Sequence, residues 1–146
     1  MTLLEVENLK VHYPVRGGWL GRRQYVRAVD GVSFHLDAGE TLGLVGESGC
    51  GKSTLGRALV RLETPTEGRV LLRGRDLATL AGRELRRARR DFQMIFQDPY
   101  GSLNPRLTIF TALDEVLALH SGLDRAGRRR RAGELLERVG LSAAEL

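Results

Sequence analysis

The sequence predicts an α/β fold: an antiparallel sheet, then a buried strand that turns through a glycine-rich loop into a helix, then further helices. Three observations predict it. Residues 3–13 and 25–40 alternate apolar and polar side chains, the period of strands in a half-solvated antiparallel sheet. "TLGLV" (41–45) is nearly continuous and apolar, as in a parallel strand buried on both faces. From Lys52 the period changes: Leu55, Ala58, Leu59 and Leu62 stand at i, i+3, i+4 and i+7, one face of a helix.

The remaining elements follow in order. "LLEVENLKVHY" (3–13) reads as a strand or two, broken near Glu7–Asn8. "PVRGGWLGRRQ" (14–24) carries Pro, Gly and Arg and reads as an exposed hairpin tip or insertion. In "YVRAVDGVSFHLDAGE" (25–40), Val32, Phe34 and Leu36 share one face. "ETPTEG" (63–68) ends the first helix and "RVLLRG" (69–74) is a short strand. Residues 79–91 read as a basic helix. "FQMIFQ" (92–97) reads as a second apolar strand, stopped by "DPYGSLNP". Ile109, Ala112, Leu113, Val116 and Leu117 repeat the helical spacing, and a last helix holds Leu135, Leu136 and Val139 before Gly140.

The totals bound the function. The 146 residues suit one ordinary domain, and 42% hydrophobic residues suffice for a core. No apolar run reaches the roughly 20 residues that span a bilayer. "MTLLEVENLK" carries acids early and lacks the apolar core of a secretory signal. The single cysteine, Cys50, excludes an internal disulfide framework and fits a reducing compartment. A net charge of +5 fits nucleic acid, an acidic surface or an anionic ligand. Aromatic residues at 5% leave few stacking platforms for single strands, and the arginine runs at 83–90 and 128–131 read as solvated helix faces.

The chemistry concentrates in "VGESGCGKSTLGR" (45–57). Gly46, Gly51, Lys52 and Ser53 satisfy G-x-x-x-x-G-K-[ST] between a predicted strand and a predicted helix. This is the Walker A pattern of a P-loop NTPase. Glycines let the backbone approach a ligand, and successive N–H groups form an anion-binding nest. The helix start adds unpaired N–H donors and the positive end of its dipole. The Lys52 ammonium is a compact point charge suited to β- and γ-phosphates, where the planar fork of Arg threads less well. The Ser53 hydroxyl suits Mg²⁺ and Thr54 an α-phosphate oxygen. The nucleotide-binding set is therefore Gly46, Glu47, Ser48, Gly49, Cys50, Gly51, Lys52, Ser53 and Thr54, and the expected ligand is a nucleotide triphosphate with Mg²⁺.

Other candidates read differently. Cys50 is expected as a small side chain packed beneath the loop. His12, His35 and His120 have no metal-ligand spacing and read as structural. "FQMIFQD" (92–98) mimics a Walker B strand, but Gln97 interrupts it, Pro99 follows Asp98, and no Glu comes next. Gln97, ending an apolar strand and opening a turn, reads as a neutral ligand reaching toward the metal and its waters.

"GETLGLVGESGCGKSTLGR" with "MIFQDPYGSLNPR" resembles the ATP-binding subunit of an ABC transporter. The wording is most similar to the dipeptide/oligopeptide importer family, F-type subunit, with which nickel and glutathione importers share it. "AVDGVSFHLDAGE" and "ELLERVGL" agree with that. The resemblance implies an ABC ATPase core, with an N-terminal antiparallel β subdomain (1–40), a P-loop core reaching the Q-loop (41–100) and the start of a helical subdomain (101–146). It implies that Gln97 is the Q-loop glutamine, touching Mg²⁺ or the attacking water and moving with a coupling helix of a membrane subunit. It also implies an aromatic stacked on adenine: Tyr13 matches best after "LKVHY", ahead of Tyr25 across the insertion. Expected partners are a second ABC subunit in a head-to-tail dimer, transmembrane permease subunits and, indirectly, a solute-binding protein, but no nucleic acid. The expected location is the cytoplasmic face of the membrane, as a peripheral subunit.

The family pattern continues after "ELLERVGL" with its signature motif, Walker B and a switch histidine, whereas this sequence ends at Leu146. The expectation is an incomplete, N-terminal portion of the core, with no catalytic base of its own, binding nucleotide weakly and turning it over negligibly. Rival readings are a non-transport ABC ATPase, another P-loop kinase or GTPase, and an arginine-rich nucleic-acid binder.

Overall fold

Alternation in the first 40 residues produces two long strands. The structure is a computed structural model that describes residues 1–15 and 24–145, so most of the predicted hairpin tip at 14–24 lies outside the described residues. Strand β1 (Thr2–Val15) pairs with β2 (Gln24–Asp37) on one edge and with β3 (Glu67–Leu72) on the other. A short β4 (Arg75–Asp76) completes the order β2-β1-β3-β4, and every pairing is antiparallel. The break expected at Glu7–Asn8 is a β-bulge. The register slips between Val6 and Leu9, and Asn8 takes φ 44, a left-handed conformation that asparagine tolerates better than most residues.

The inward face of the sheet carries Val6, Leu9, Val11, Val29 and Val70, all buried. Helix α1 (Lys52–Leu59) lays Leu55 and Ala58 on that face, following the helical spacing of the sequence. The helix stops three residues before the predicted Leu62. Arg61 takes φ 52, its N–H donates to the Ala58 carbonyl at 3.1 Å, and the Leu62 N–H donates to the Arg57 carbonyl at 2.9 Å. That pair of bonds is a Schellman ending, which satisfies the last carbonyls and turns the chain away. Leu77, in a 3-10 turn over Leu77–Thr79, and Leu80 close the core, with Leu85 and Ala88 of α2 (Gly82–Ala88) packed at its edge.

Two predicted strands do not form. Residues 41–45 pair with nothing among the described residues, and Leu42, Leu44 and Val45 are exposed. Residues 92–97 are likewise irregular, with Ile95 and Phe96 exposed. A strand exists only through its hydrogen-bonding neighbours, and a strand in the interior of a parallel sheet has one on each edge. The apolar runs supply the burial pattern but not the partners.

Two compact units divide the chain, Met1–Met94 and Ile95–Leu146. The second is helical: a single turn, α3 (Pro99–Ser102), then α4 (Ile109–His120) and α5 (Arg125–Arg138). Thr108 caps α4 by accepting from the Thr111 N–H, and Asp124 caps α5 by accepting from the Gly127 N–H at 2.8 Å. The arginine run at 128–131 is exposed at 129–131, as expected, and half-buried at Arg128. Arg128 donates to Asp114 of α4 at 2.5 Å, Arg129 lies 5.1 Å over the Phe110 ring, and Arg131 pairs with Glu134 at 2.7 Å.

Candidate phosphate-binding site

The site begins where α1 begins. Gly51 is the N-cap residue, with φ 98, and has no side chain to bond the first-turn N–H groups of the helix. Those donors have no partner within a helix by its geometry. No acid stands in the first turn to occupy the positive end of the dipole. Leu55 and Ala58 anchor the helix on the sheet, so its open end is held fixed.

Gly51 also fits against the sheet. A Cβ there would fall on the carbonyl oxygen of Ala28 in β2, so only glycine allows this approach of loop to strand. Across the loop, a Cβ on Gly46 would lie 2.7 Å from the Cys50 sulfur. Cys50 thus fills the space inside the loop, although the residue as a whole is exposed rather than tucked beneath it. Its N–H donates to the Glu47 carbonyl at 3.4 Å and closes the turn.

Lys52 reaches back over this turn. Its Nζ donates to the carbonyls of Gly46 at 2.6 Å and Glu47 at 2.5 Å, and lies 3.5 Å from Cys50 Sγ. The ammonium therefore marks the loop's centre. Glu47, Ser48 and Gly49 are exposed, as is Ser53, while Thr54 is half-buried. Among the described residues nothing hydrogen-bonds the hydroxyls of Ser48, Ser53 or Thr54. The loop presents backbone donors, one cation and free hydroxyls within a few residues, a donor set for a polyphosphate.

Tyr13 lies two residues beyond buried Val11 on β1, so strand alternation puts it on the same sheet face as α1. It pairs with Val26, whereas Tyr25 pairs with Pro14 and so faces the opposite side. Both rings are accessible, at 37% and 49% exposure. Gln97 lies in the second unit, exposed, just before α3. Its neighbour Asp98 accepts from the Gly101 N–H at 3.1 Å, and the Ser102 hydroxyl donates to its carbonyl at 2.6 Å. Asp98 is a turn-capping residue, in line with the rejection of a Walker B strand here. Of the histidines, His12 bonds Asp30 at 3.0 Å, and no group of possible metal ligands gathers among the described residues.

Sequence reasoning missed the contact of Gly51 with Ala28. The signal was present: Val26 and Val29, both apolar and three apart, break the two-residue period of a strand and announce a bulge.

Against known proteins, the model of the ABC transporter family matches residues 29–145. This chain belongs to the ABC transporter family. The ABC chain is 54% identical over 142 residues to a probable peptide ABC transporter ATP-binding protein of Sinorhizobium fredii, covering 97% of this chain and 40% of that protein. It is 49% identical over 142 residues to the oligopeptide transport ATP-binding protein AppF of Bacillus subtilis, covering 96% and 43%. A solved ATP-binding cassette, dimeric, in a post-hydrolysis state and bound to ADP and Pi, superposes with a TM-score of 0.74 at 27% identity, covering 95% of this chain and 58% of that one. The ABC chain thus spans less than half the length of these two relatives.

Proposed function

We propose that this chain is the nucleotide-binding part of the energy-coupling subunit of an ABC importer for dipeptides, oligopeptides or similar small solutes. The observation that carries the reading is the 46–54 loop. Lys52 sits at its centre, the uncapped start of α1 opens into it, and Gly51 fits it to the sheet. The solute class rests on the two relatives, one named for peptide and one for oligopeptide transport. The chain then comprises an antiparallel β subdomain (1–40), a P-loop core to the Q-loop (41–100) and the start of a helical subdomain (101–146).

In this reading the backbone N–H groups of 46–54 and Lys52 bind and orient the phosphates of ATP, and Tyr13 stacks on adenine. The free Ser53 hydroxyl is a hard, neutral oxygen donor, which fits Mg²⁺, and the Gln97 amide oxygen of the second unit is by its chemistry a donor of the same kind. When bound there, Mg²⁺ would supply charge neutralisation at the phosphates. The chain's own contribution to ATP hydrolysis is positioning and electrostatic stabilisation. The partners are a second ABC subunit, head to tail, together with permease subunits and indirectly a solute-binding protein. The subunit works as a peripheral protein at the cytoplasmic face of the membrane.

Equilibrium titration with a fluorescent ATP analogue tests this. A hydrogen bond to a charged group contributes about 1.5–3 kcal/mol, so Lys52→Ala should weaken binding about tenfold or more. Ser53→Ala should lose only the part of the affinity that depends on Mg²⁺. Unchanged affinity in both variants would remove the loop from consideration as the binding site.

A further inference from the structure

Opposite the core face of the sheet, β2 contains an irregularity that the nucleotide-binding reading does not use. Val11 pairs with Val29 and the next residue, His12, pairs with Arg27, so Ala28 is an extra residue with no partner on β1. That is a β-bulge, and it re-aims the strand. In a regular strand, residues three apart point to opposite faces. Here the extra residue brings Arg27 and Asp30 to the same outer face, on either side of Ala28. Arg27 Nη1 donates to Asp30 Oδ2 at 3.3 Å, an ion pair that spans the bulge. From the partner strand, His12 Nε2 lies 3.0 Å from Asp30 Oδ1. An ionised carboxylate only accepts, so Nε2 carries the proton and donates. One carboxylate therefore ties Arg27 across the bulge with one oxygen and His12 of the partner strand with the other.

The bulged residue is the one whose carbonyl oxygen abuts Gly51, the N-cap of α1. We infer that Asp30, with His12 and Arg27, is a positioning cluster for the phosphate loop: it fixes the bulge and thereby sets the Ala28 carbonyl against which Gly51 and the start of α1 are seated. None of the three side chains need touch a ligand. Their effect passes through one backbone carbonyl. The proposal builds on the phosphate-loop reading, but the seating of the loop is observable with no ligand present.

The test compares Asp30→Ala and Asp30→Asn with the unaltered chain. Amide hydrogen exchange, read by NMR, reports the seating directly. The Leu55 N–H, bonded to the Gly51 carbonyl at 2.9 Å, should exchange about tenfold faster in Asp30→Ala, while amides in the β1–β3 ladder near Val6 and Val70 keep their protection. Asp30→Asn retains one acceptor oxygen and should fall between. Affinity for inorganic tripolyphosphate, which lacks a base, should drop in the same order. Uniform acceleration across the ladder would show ordinary destabilisation and overturn the proposal, as would unchanged exchange at Leu55. A loss confined to ATP, with tripolyphosphate binding intact, would also overturn it, because the effect would then lie on the base side. If the unaltered chain binds no polyphosphate, the nucleotide reading fails while the exchange result still decides the positioning role.

Discussion

Gly51→Ala perturbs the loop without removing any functional side chain, and its cost can be worked from the backbone. Gly51 has φ 98, in the region where an L-residue costs about 1–2 kcal/mol. The added Cβ then meets the Ala28 carbonyl, a backbone atom held in the bulge rather than a side chain that swings aside. Forcing such overlap costs about 1–3 kcal/mol. The total is about 2–5 kcal/mol. Gly49 is an internal control, because it has φ 82 but nothing within 4 Å of the position of its Cβ. Gly49→Ala therefore incurs the conformational cost alone. Two assays locate the cost: titration with a fluorescent ATP analogue and thermal unfolding. Borne wholly by stability, it lowers the Tm of Gly51→Ala by about 2–4 °C per kcal/mol at this chain length. Borne by the loop, it weakens binding about tenfold per 1.4 kcal/mol. In either assay Gly51→Ala should exceed Gly49→Ala. Equal losses in both would show that the Ala28 contact constrains nothing, and the account of how the loop is seated would be wrong.

Two further outcomes are expected. Tyr13→Ala should lose about 1–3 kcal/mol of ATP-analogue affinity, the contribution of a stacked base, while Tyr25→Ala on the opposite face keeps it; isothermal titration distinguishes them, and the reverse order would place the base on the wrong side of the sheet. Glu67 is held below the ordinary carboxylate range, first by its hydrogen bond from Lys10 at 2.7 Å and then by the Lys10 charge. A depressed carboxyl adds stability above its unfolded value and loses it as pH falls through the folded one. Glu67→Gln should therefore lower the urea midpoint at neutral pH and converge with the unaltered chain as pH falls through the lowered carboxyl value of the folded state; an offset that stays constant down to acid pH would contradict this.

Much of the first unit was legible because its signals are local. The alternation of Val32, Phe34 and Leu36 fixed a strand, and the spacing of Leu55 and Ala58 fixed which side of α1 is buried. Asn8 at a strand break was readable because asparagine tolerates the conformation found there. The phosphate loop was legible for a similar reason, since glycine positions and a lysine report backbone geometry directly. The strands expected at 41–45 and 92–97 were not legible, because apolar runs record burial while pairing depends on segments elsewhere. The arginine run at 128–131 is exposed at 129–131, as its charge suggests, while half-buried Arg128 meets Asp114 of α4, a partner that no local signal reveals.

The choice of cation ties the site to the rest of the chain. The sequence contains only two lysines, Lys10 and Lys52, among many arginines. Each sets a point charge against nearby oxygens. Lys10 meets Glu67 at 2.7 Å across β1 and β3, and Lys52 bonds two carbonyls of its own loop. An ammonium carries three donors that rotate about a flexible stem, whereas a guanidinium presents a rigid fork. In the loop that freedom has a consequence for binding. The carbonyls of Gly46 and Glu47 are neutral acceptors, whereas a phosphate carries negative charge and adds an ionic attraction for the ammonium. On the proposed reading, a phosphate at the start of α1 would draw the Lys52 ammonium away from those carbonyls while Leu55 and Ala58 keep the helix on the sheet. That exchange of acceptors at one nitrogen would be what makes the loop responsive to a polyphosphate.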